Sequence, residues 1–177
     1  MSLKDLTIEE HKNAEKQEFA RKLIKGDITD KEYATYLYNQ FPQYELLEVC
    51  SMAHGLFAGI PELLRNKRIR QDYEELWDSE EPPKLMPVVN QYLEHIMKIK
   101  DDPHKLMAHV YVRHMGDLSG GQMIARKLPG SKLYYQFDGD VSQIKEKIRE
   151  KVDDSMAEEA KLCFNFATSL FQQLAEY

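Results

Sequence analysis

The chain has 177 residues and a mass of 20.8 kDa, enough for one domain with a full core and too short for two ordinary ones. Hydrophobic residues at 42% and charged residues at 31% exclude a disordered chain, and 8 Gly with 7 Pro are too few for a turn-rich β sandwich. With 24 Lys and Arg against 30 Asp and Glu the net charge is −6, which excludes general binding of nucleic acid or anionic membrane and leaves local basic patches for any anion.

In chain order, Thr7-Ile8-Glu9-Glu10 reads as a capping box and predicts a first helix from about Thr7, with His11 in its early turns. Phe19, Leu23 and Ile24 form a short apolar stripe that stops at Gly26. Thr29-Asp30-Lys31-Glu32 is a second capping box, opening a long helix through Tyr44 and Met52 with Pro42 as the expected kink. Pro61 suits the start of a helix to about Trp77, and Glu80-Glu81-Pro82-Pro83 breaks the chain. Pro87 starts the next helix, with Val88, Tyr92, Ile96 and Ile99 in register. Asp101-Asp102-Pro103 ends it and caps a further helix from about His104 to Lys127. Pro129-Gly130-Ser131 is a turn, and Lys132 to Phe137 suits a short extended piece. Helices over about Val141–Val152 and Asp154–Glu176 complete an all-α reading of about eight helices in a single domain, residues 1–177.

Cys50 and Cys163 are far apart and read as buried free thiols in a reducing compartment. The N-terminus has no apolar signal core, no apolar run approaches ~18 residues, and Tyr177 ends the chain without a hydrophobic tail. The expectation is a soluble cytoplasmic protein.

The usual catalytic patterns are missing. None of the six His residues has Glu three positions before it, so the di-iron bundle pattern fails. His109 and His114 are five apart, about 140° around a helix, and do not share a face. There is no His-Glu-x-x-His, P-loop, dinucleotide glycine pattern or Gly-x-Ser-x-Gly.

One segment departs from ordinary helix chemistry: Tyr111-Val112-Arg113-His114-Met115-Gly116-Asp117-Leu118-Ser119-Gly120-Gly121-Gln122-Met123. It carries three of the eight glycines within six residues, each costing ~1 kcal/mol relative to Ala inside a helix. Gly116 and Gly120 share a face at i, i+4. Such a face lets something large and flat lie against the backbone, and the Gly120-Gly121 pair supplies a kink. Close helix packing, or a loop between two shorter helices, explains the same glycines without a ligand.

This segment resembles the distal-helix signature of the haem oxygenases, Gly-Asp-Leu-Ser-Gly-Gly. Upstream, Glu10-His11-Lys12-Asn13-Ala14-Glu15 is similar to the family's proximal segment, a His followed by x-x-Ala-Glu. The resemblance runs from Leu3 to about Leu174. It implies one all-α domain with haem b between a proximal helix and a kinked, glycine-rich distal helix. It implies His11 as the axial iron ligand, with Glu15 one turn later orienting the imidazole through the other ring nitrogen. Gly116 and Gly120 would lie over the distal haem face, with Asp117 anchoring water there. Tyr44 and Arg113 match the distal hydrogen-bond network. Lys4, Lys145 and Arg149 match positions that meet the haem propionates, Tyr111 a tyrosine beside them, and Phe164 an aromatic lining the pocket.

The implied activity is oxidative cleavage of haem, as both substrate and cofactor, by O2 and external electrons to biliverdin, CO and ferrous iron. The matched cations imply the IXα isomer. The missing anchor points to a soluble donor such as an acidic ferredoxin, and the product to a downstream bilin reductase. Three features depart from the family: the chain is shorter than typical members, His114 stands where an aromatic is usual, and the stretch from Asn165 to Ser169 matches weakly. The alternatives are a non-catalytic haem-binding or carrier protein on the same fold, against which His11 and Asp117 together argue, and a helical interaction protein with glycine-mediated packing.

Overall fold

The structure is a computed structural model describing all 177 residues, and it is helical throughout, with no strand. Ten α-helices follow in order: α1 (Leu3–Leu6), α2 (Ile8–Glu15), α3 (Glu18–Lys25), α4 (Asp30–Met52), α5 (Asn66–Leu76), α6 (Pro87–Ile99), α7 (Pro103–Leu118), α8 (Gly120–Ile124), α9 (Val141–Arg149) and α10 (Ala157–Ala175). Four single 3-10 turns lie between them, at Pro61–Leu63, Ala125–Lys127, Leu133–Tyr135 and Asp154–Met156.

Local sequence explains several boundaries. The Thr29 hydroxyl accepts from Glu32 N, and the Glu32 carboxylate accepts from Thr29 N, so the predicted box opens α4. Asp102 caps α7 by accepting from Lys105 N, with Pro103 at its first position. Gly26 closes α3 at a φ of 75°, a left-handed turn that favours glycine.

Other boundaries differ from the sequence reading. The Thr7 box does not form. Ser2 caps the earlier turn α1, the chain reaches Thr7 already in a helical path, and the Thr7 hydroxyl donates back to Leu3 O. The helix expected from Pro61 to Trp77 is a 3-10 turn and then α5, because the Glu48 carboxylate, projecting from α4, accepts from the amides of Arg65 and Asn66 and restarts the helix there. The helix expected from His104 to Lys127 breaks at Ser119 into α7 and α8. Lys132 to Phe137 is not extended but carries a 3-10 turn. Asp72 accepts from Leu133 N and Tyr134 N, while Arg65 donates to Tyr134 O and Gln136 O. Cys163 is buried but Cys50 only partly so, and both are free thiols.

Helix α4 runs through the centre and packs on α5, α6 and α7, while α10 packs on α2, α3, α6 and α7. One core cluster includes Leu47, Tyr92, Ile96, Val110, Ile148 and Cys163; the other includes Tyr33, Leu37, Tyr44, Ile69, Val89 and Tyr134. Phe166 of α10 packs against both. Burying apolar surface at roughly 25 cal/mol per Å² drives this assembly. Its consequence for the site is positional: α2 and α7 are both seated on α10. No helix is long and apolar enough to cross a membrane.

Candidate functional site

On one side of α10, helix α2 presents His11 with 45% of its side chain exposed. The ring stacks on Phe164 of α10, centroids 5.1 Å apart and planes 16° from parallel. Glu15, one turn on, meets Nε2 directly at 2.8 Å. The carboxylate holds one ring nitrogen and orients the imidazole, and Nδ1 is left without a protein partner.

A second group of residues lies at the α7–α8 junction, where α7 also packs on α10. A Cβ added at Gly116 or at Gly120 would meet nothing within 4 Å, and both residues are exposed. Their shared face is therefore open, not packed on another helix. Gly121 turns the other way, where a Cβ would come within 2.5 Å of the Tyr135 ring. The three glycines thus do two jobs: two clear an outer face, and the third admits a buried tyrosine beneath the kink.

Behind the open face the side chains are buried and polar. Tyr44 donates to Asp117 Oδ2 at 2.8 Å, and Tyr134 donates to the Tyr44 hydroxyl at 2.8 Å. Burial lifts the Asp117 carboxyl to about 7, against the pull of nearby His114 and the Tyr44 hydroxyl. Arg113 is buried without a carboxylate partner. It donates from Nε to the Tyr92 hydroxyl at 3.0 Å and from Nη2 to Gln43 Oε1 at 2.5 Å. Its guanidinium also lies 4.3 Å from the Tyr92 ring centre and 5.3 Å from that of Tyr44. Gln43 donates onward to Gln40, and Gln40 to the hydroxyls of Tyr36 and Tyr134. Arg113 and Asp117 are thus joined through side chains of α4 and not by a direct bond.

His114 is fully buried and meets Glu48 Oε2 at 2.8 Å, with Tyr44 and Phe57 edge-on to its ring. The departure noted at this position is therefore absorbed by a buried acid, the same one that restarts α5.

The matched cations lie at the surface. Lys145 and Arg149 sit one turn apart on α9, which packs on α7, and Lys4 lies on α1. None of the three forms an ion pair with a carboxylate. Burial raises the Tyr111 hydroxyl above its usual range, and the charge of nearby Arg149 opposes this.

The structure thus groups His11 with Glu15 and Phe164, Tyr44 with Asp117 and Arg113, and Tyr111 with Arg149. Sequence reasoning missed Tyr92, Tyr134, Gln40, Gln43 and Glu48. Tyr92 was legible only as a core residue in register. Two glutamines three apart on a core-facing stretch of α4 were the available signal for a buried polar network.

A family model for heme oxygenase matches residues 1–173. Heme oxygenase 2 of Macaca fascicularis is 30% identical over 203 residues, covering 97% of this chain and 64% of the relative. The heme oxygenase of Guillardia theta is 29% identical, covering 98% and 85%. Among solved structures, heme oxygenase from Leptospira interrogans superposes with a TM-score of 0.85 at 29% identity, over 97% of this chain and 98% of that one. Heme oxygenase-1 from the cyanobacterium Synechocystis, solved in complex with heme, gives a TM-score of 0.85 over 98% and 90%. At 23% identity that match bears on the fold alone. The all-α fold is shared with these structures, and with a family model that matches nearly the whole chain the chain belongs to the haem oxygenase family. It spans about 64% of the length of the heme oxygenase 2 relatives that it matches.

Proposed function

We propose that this chain binds haem between α2 and the α7–α8 junction and opens it with O2 and external electrons to biliverdin IXα, CO and ferrous iron. The observation that carries this reading is the open face at Gly116 and Gly120, paired with a half-exposed His11 on the other helix that α10 supports.

The residues present fit the group. His11 offers the ring nitrogen that Glu15 does not hold. The bare glycine backbone allows a flat ring to approach α7 closely. Lys4, Lys145 and Arg149, free of carboxylates, suit two propionates. Haem supplies the O2-binding iron and is itself the molecule that is cleaved.

The protein's part is to orient and to manage protons. Asp117 spends one oxygen on Tyr44, and no side chain donates to the other within hydrogen-bonding geometry, so Oδ1 is available to order water in the slot. A carboxyl near 7 can both hold and release a proton at neutral pH. Arg113, through Gln43 and Gln40, fixes the hydroxyls behind it. Burial of this network keeps its donors preorganised, and a preorganised polar site stabilises developing charge at little cost of rearrangement. No side chain here supplies electrons, so they come from a partner; a small acidic ferredoxin suits the free cations Lys4, Lys145 and Arg149.

The test is direct. Pure protein mixed with hemin should develop a His-ligated spectrum, and reductant under air should convert it to a bilin band. Binding without bilin would leave a haem carrier, and no spectrum would overturn the assignment. If the donor is ferredoxin, the rate should fall as salt rises.

A further inference from the structure

Away from the slot, three helices send side chains to one point. His95 of α6 and His109 of α7 each present Nε2 to the same oxygen, Glu159 Oε1 of α10, at 2.5 Å and 2.8 Å. One ligand atom from each residue lies within 4.8 Å of the others. We propose that His95, His109 and Glu159 form a binding site for a divalent first-row transition cation of the zinc class.

The chemistry favours this. Two imidazoles and one carboxylate on one face, with further positions open, form a recurrent donor set for such ions. Ligands ~2.1 Å from a tetrahedral metal stand ~3.4 Å apart, so the carboxylate oxygen would part from the two nitrogens, now at 2.5 Å and 2.8 Å, by less than about 1 Å, a shift that a side-chain rotation supplies. The donors come from three long helices, so the site is held by the fold and not by a loop. His109 is fully buried, while His95 keeps 20% and Glu159 15% of their side chains exposed. The outer side is thus open to water, which would complete the coordination.

A supporting hydrogen bond is also in place. His109 Nδ1 meets the Tyr92 hydroxyl at 2.8 Å, fixing the ring that would ligate through Nε2. Burial and the hydrogen bonds from both imidazoles act oppositely on Glu159, and the hydrogen bonds prevail, bringing the carboxyl down to about 2. With a metal bound, each neutral imidazole would ligate through its Nε2 lone pair and carry its single proton on Nδ1, so that His109 would donate to Tyr92 instead of accepting from it. Because Tyr92 also receives Arg113 Nε, the ion would set the polarity of a contact that reaches the distal network.

The experiment uses the full chain, stripped with chelator and free of haem. Zn2+ is titrated by calorimetry, Co2+ by its visible absorption, and thermal midpoints are read with and without metal. One equivalent should bind and raise the midpoint, since a ligand specific to the native state stabilises it. His95→Ala and Glu159→Gln should each weaken binding by at least about tenfold and abolish the midpoint shift. His11→Ala should leave binding intact, which separates this site from the other exposed His–Glu pair. No binding by the wild-type chain, binding that survives both ligand variants, or binding lost with His11 would each overturn the proposal. The readout is independent of haem turnover, so failure here leaves the haem reading standing, and the reverse.

Discussion

The His11 group and the Asp117 group are built on opposite terms. The His11 side is one exposed histidine, a neighbouring carboxylate that is 55% exposed, and a stacked phenylalanine. The Asp117 side is a buried web in which Asp117, Tyr44, Tyr134, Arg113, Tyr92 and Gln43 satisfy one another across α4, α6, α7 and the turn at Leu133–Tyr135. The difference teaches where stability and chemistry separate. An exposed side chain can be removed at little structural cost, whereas a buried network contributes to both and cannot be altered for one alone.

The sharpest test of this contrast is His11→Ala. The side chain is 45% exposed, so the thermal midpoint should stay within a few degrees, as for most surface changes. The His-ligated spectrum and nearly all turnover should disappear, and added imidazole should restore part of both. A variant that keeps its spectrum, or that fails to fold, would break the contrast at its simpler end.

Asp117→Asn probes the buried end. In an unfolded chain this carboxyl ionises near its usual 3.8, but in the folded protein near 7. Between those values the folded state holds a proton that the unfolded state has lost, so stability falls as pH rises through this window and levels off above it. At about 1.4 kcal/mol per pH unit the loss amounts to at most about 4 kcal/mol. Asn cannot ionise, and its carbonyl still accepts from Tyr44. The variant should therefore gain on wild type in urea midpoint from pH 5 to pH 8, while haem still binds and bilin yield falls. Parallel midpoints across that range would show that Asp117 is ionised throughout.

Legibility in the sequence follows the same division. The His11–Glu15 pair and the glycine face lie in short contiguous segments, and the Thr29 and Asp102 caps are local chemistry that works where it stands. What failed was long-range. Thr7 lost its capping role to Ser2 five residues earlier. Tyr134 and Tyr135 are held in a 3-10 turn by Asp72 and Arg65, about sixty to seventy residues away. Glu48, on a helix of its own, restarts α5 and receives His114. No window along the chain contains those pairings, so the distal site was legible as a motif and illegible as a network.

A smaller effect is expected at the rim. Lys145 and Arg149 pair with no carboxylate, and each propionate contact at a partly exposed position is worth ~1 kcal/mol or less. Together they can bias haem rotation, since ~1.4 kcal/mol is tenfold. Reversing both to Glu should broaden the biliverdin isomer ratio, read by chromatography, before it lowers turnover. A single unchanged isomer would mean that these two residues do not seat the ring.

The smallest expected change carries the contrast inside the distal helix itself. Gly116 lies in the body of α7, and a Cβ there meets open space. Gly116→Ala should therefore stabilise the ligand-free chain by ~0.5–1 kcal/mol, the helix propensity difference alone. The same methyl stands on the face that a flat ring must approach, so haem affinity should drop even as the midpoint rises. Gly121→Ala should behave in the reverse sense. Its Cβ would sit 2.5 Å from Tyr135 Cδ1, and the buried ring is held between Tyr134 and the Gly121 backbone with little room to withdraw. Overpacking of this kind costs about 1–3 kcal/mol, and it acts before any haem is added. Thermal midpoints of the two ligand-free variants, set beside hemin titrations of each, separate a glycine kept for the ligand from one kept for the fold. If Gly116→Ala binds haem as tightly as wild type, the open face is not where the ring lies.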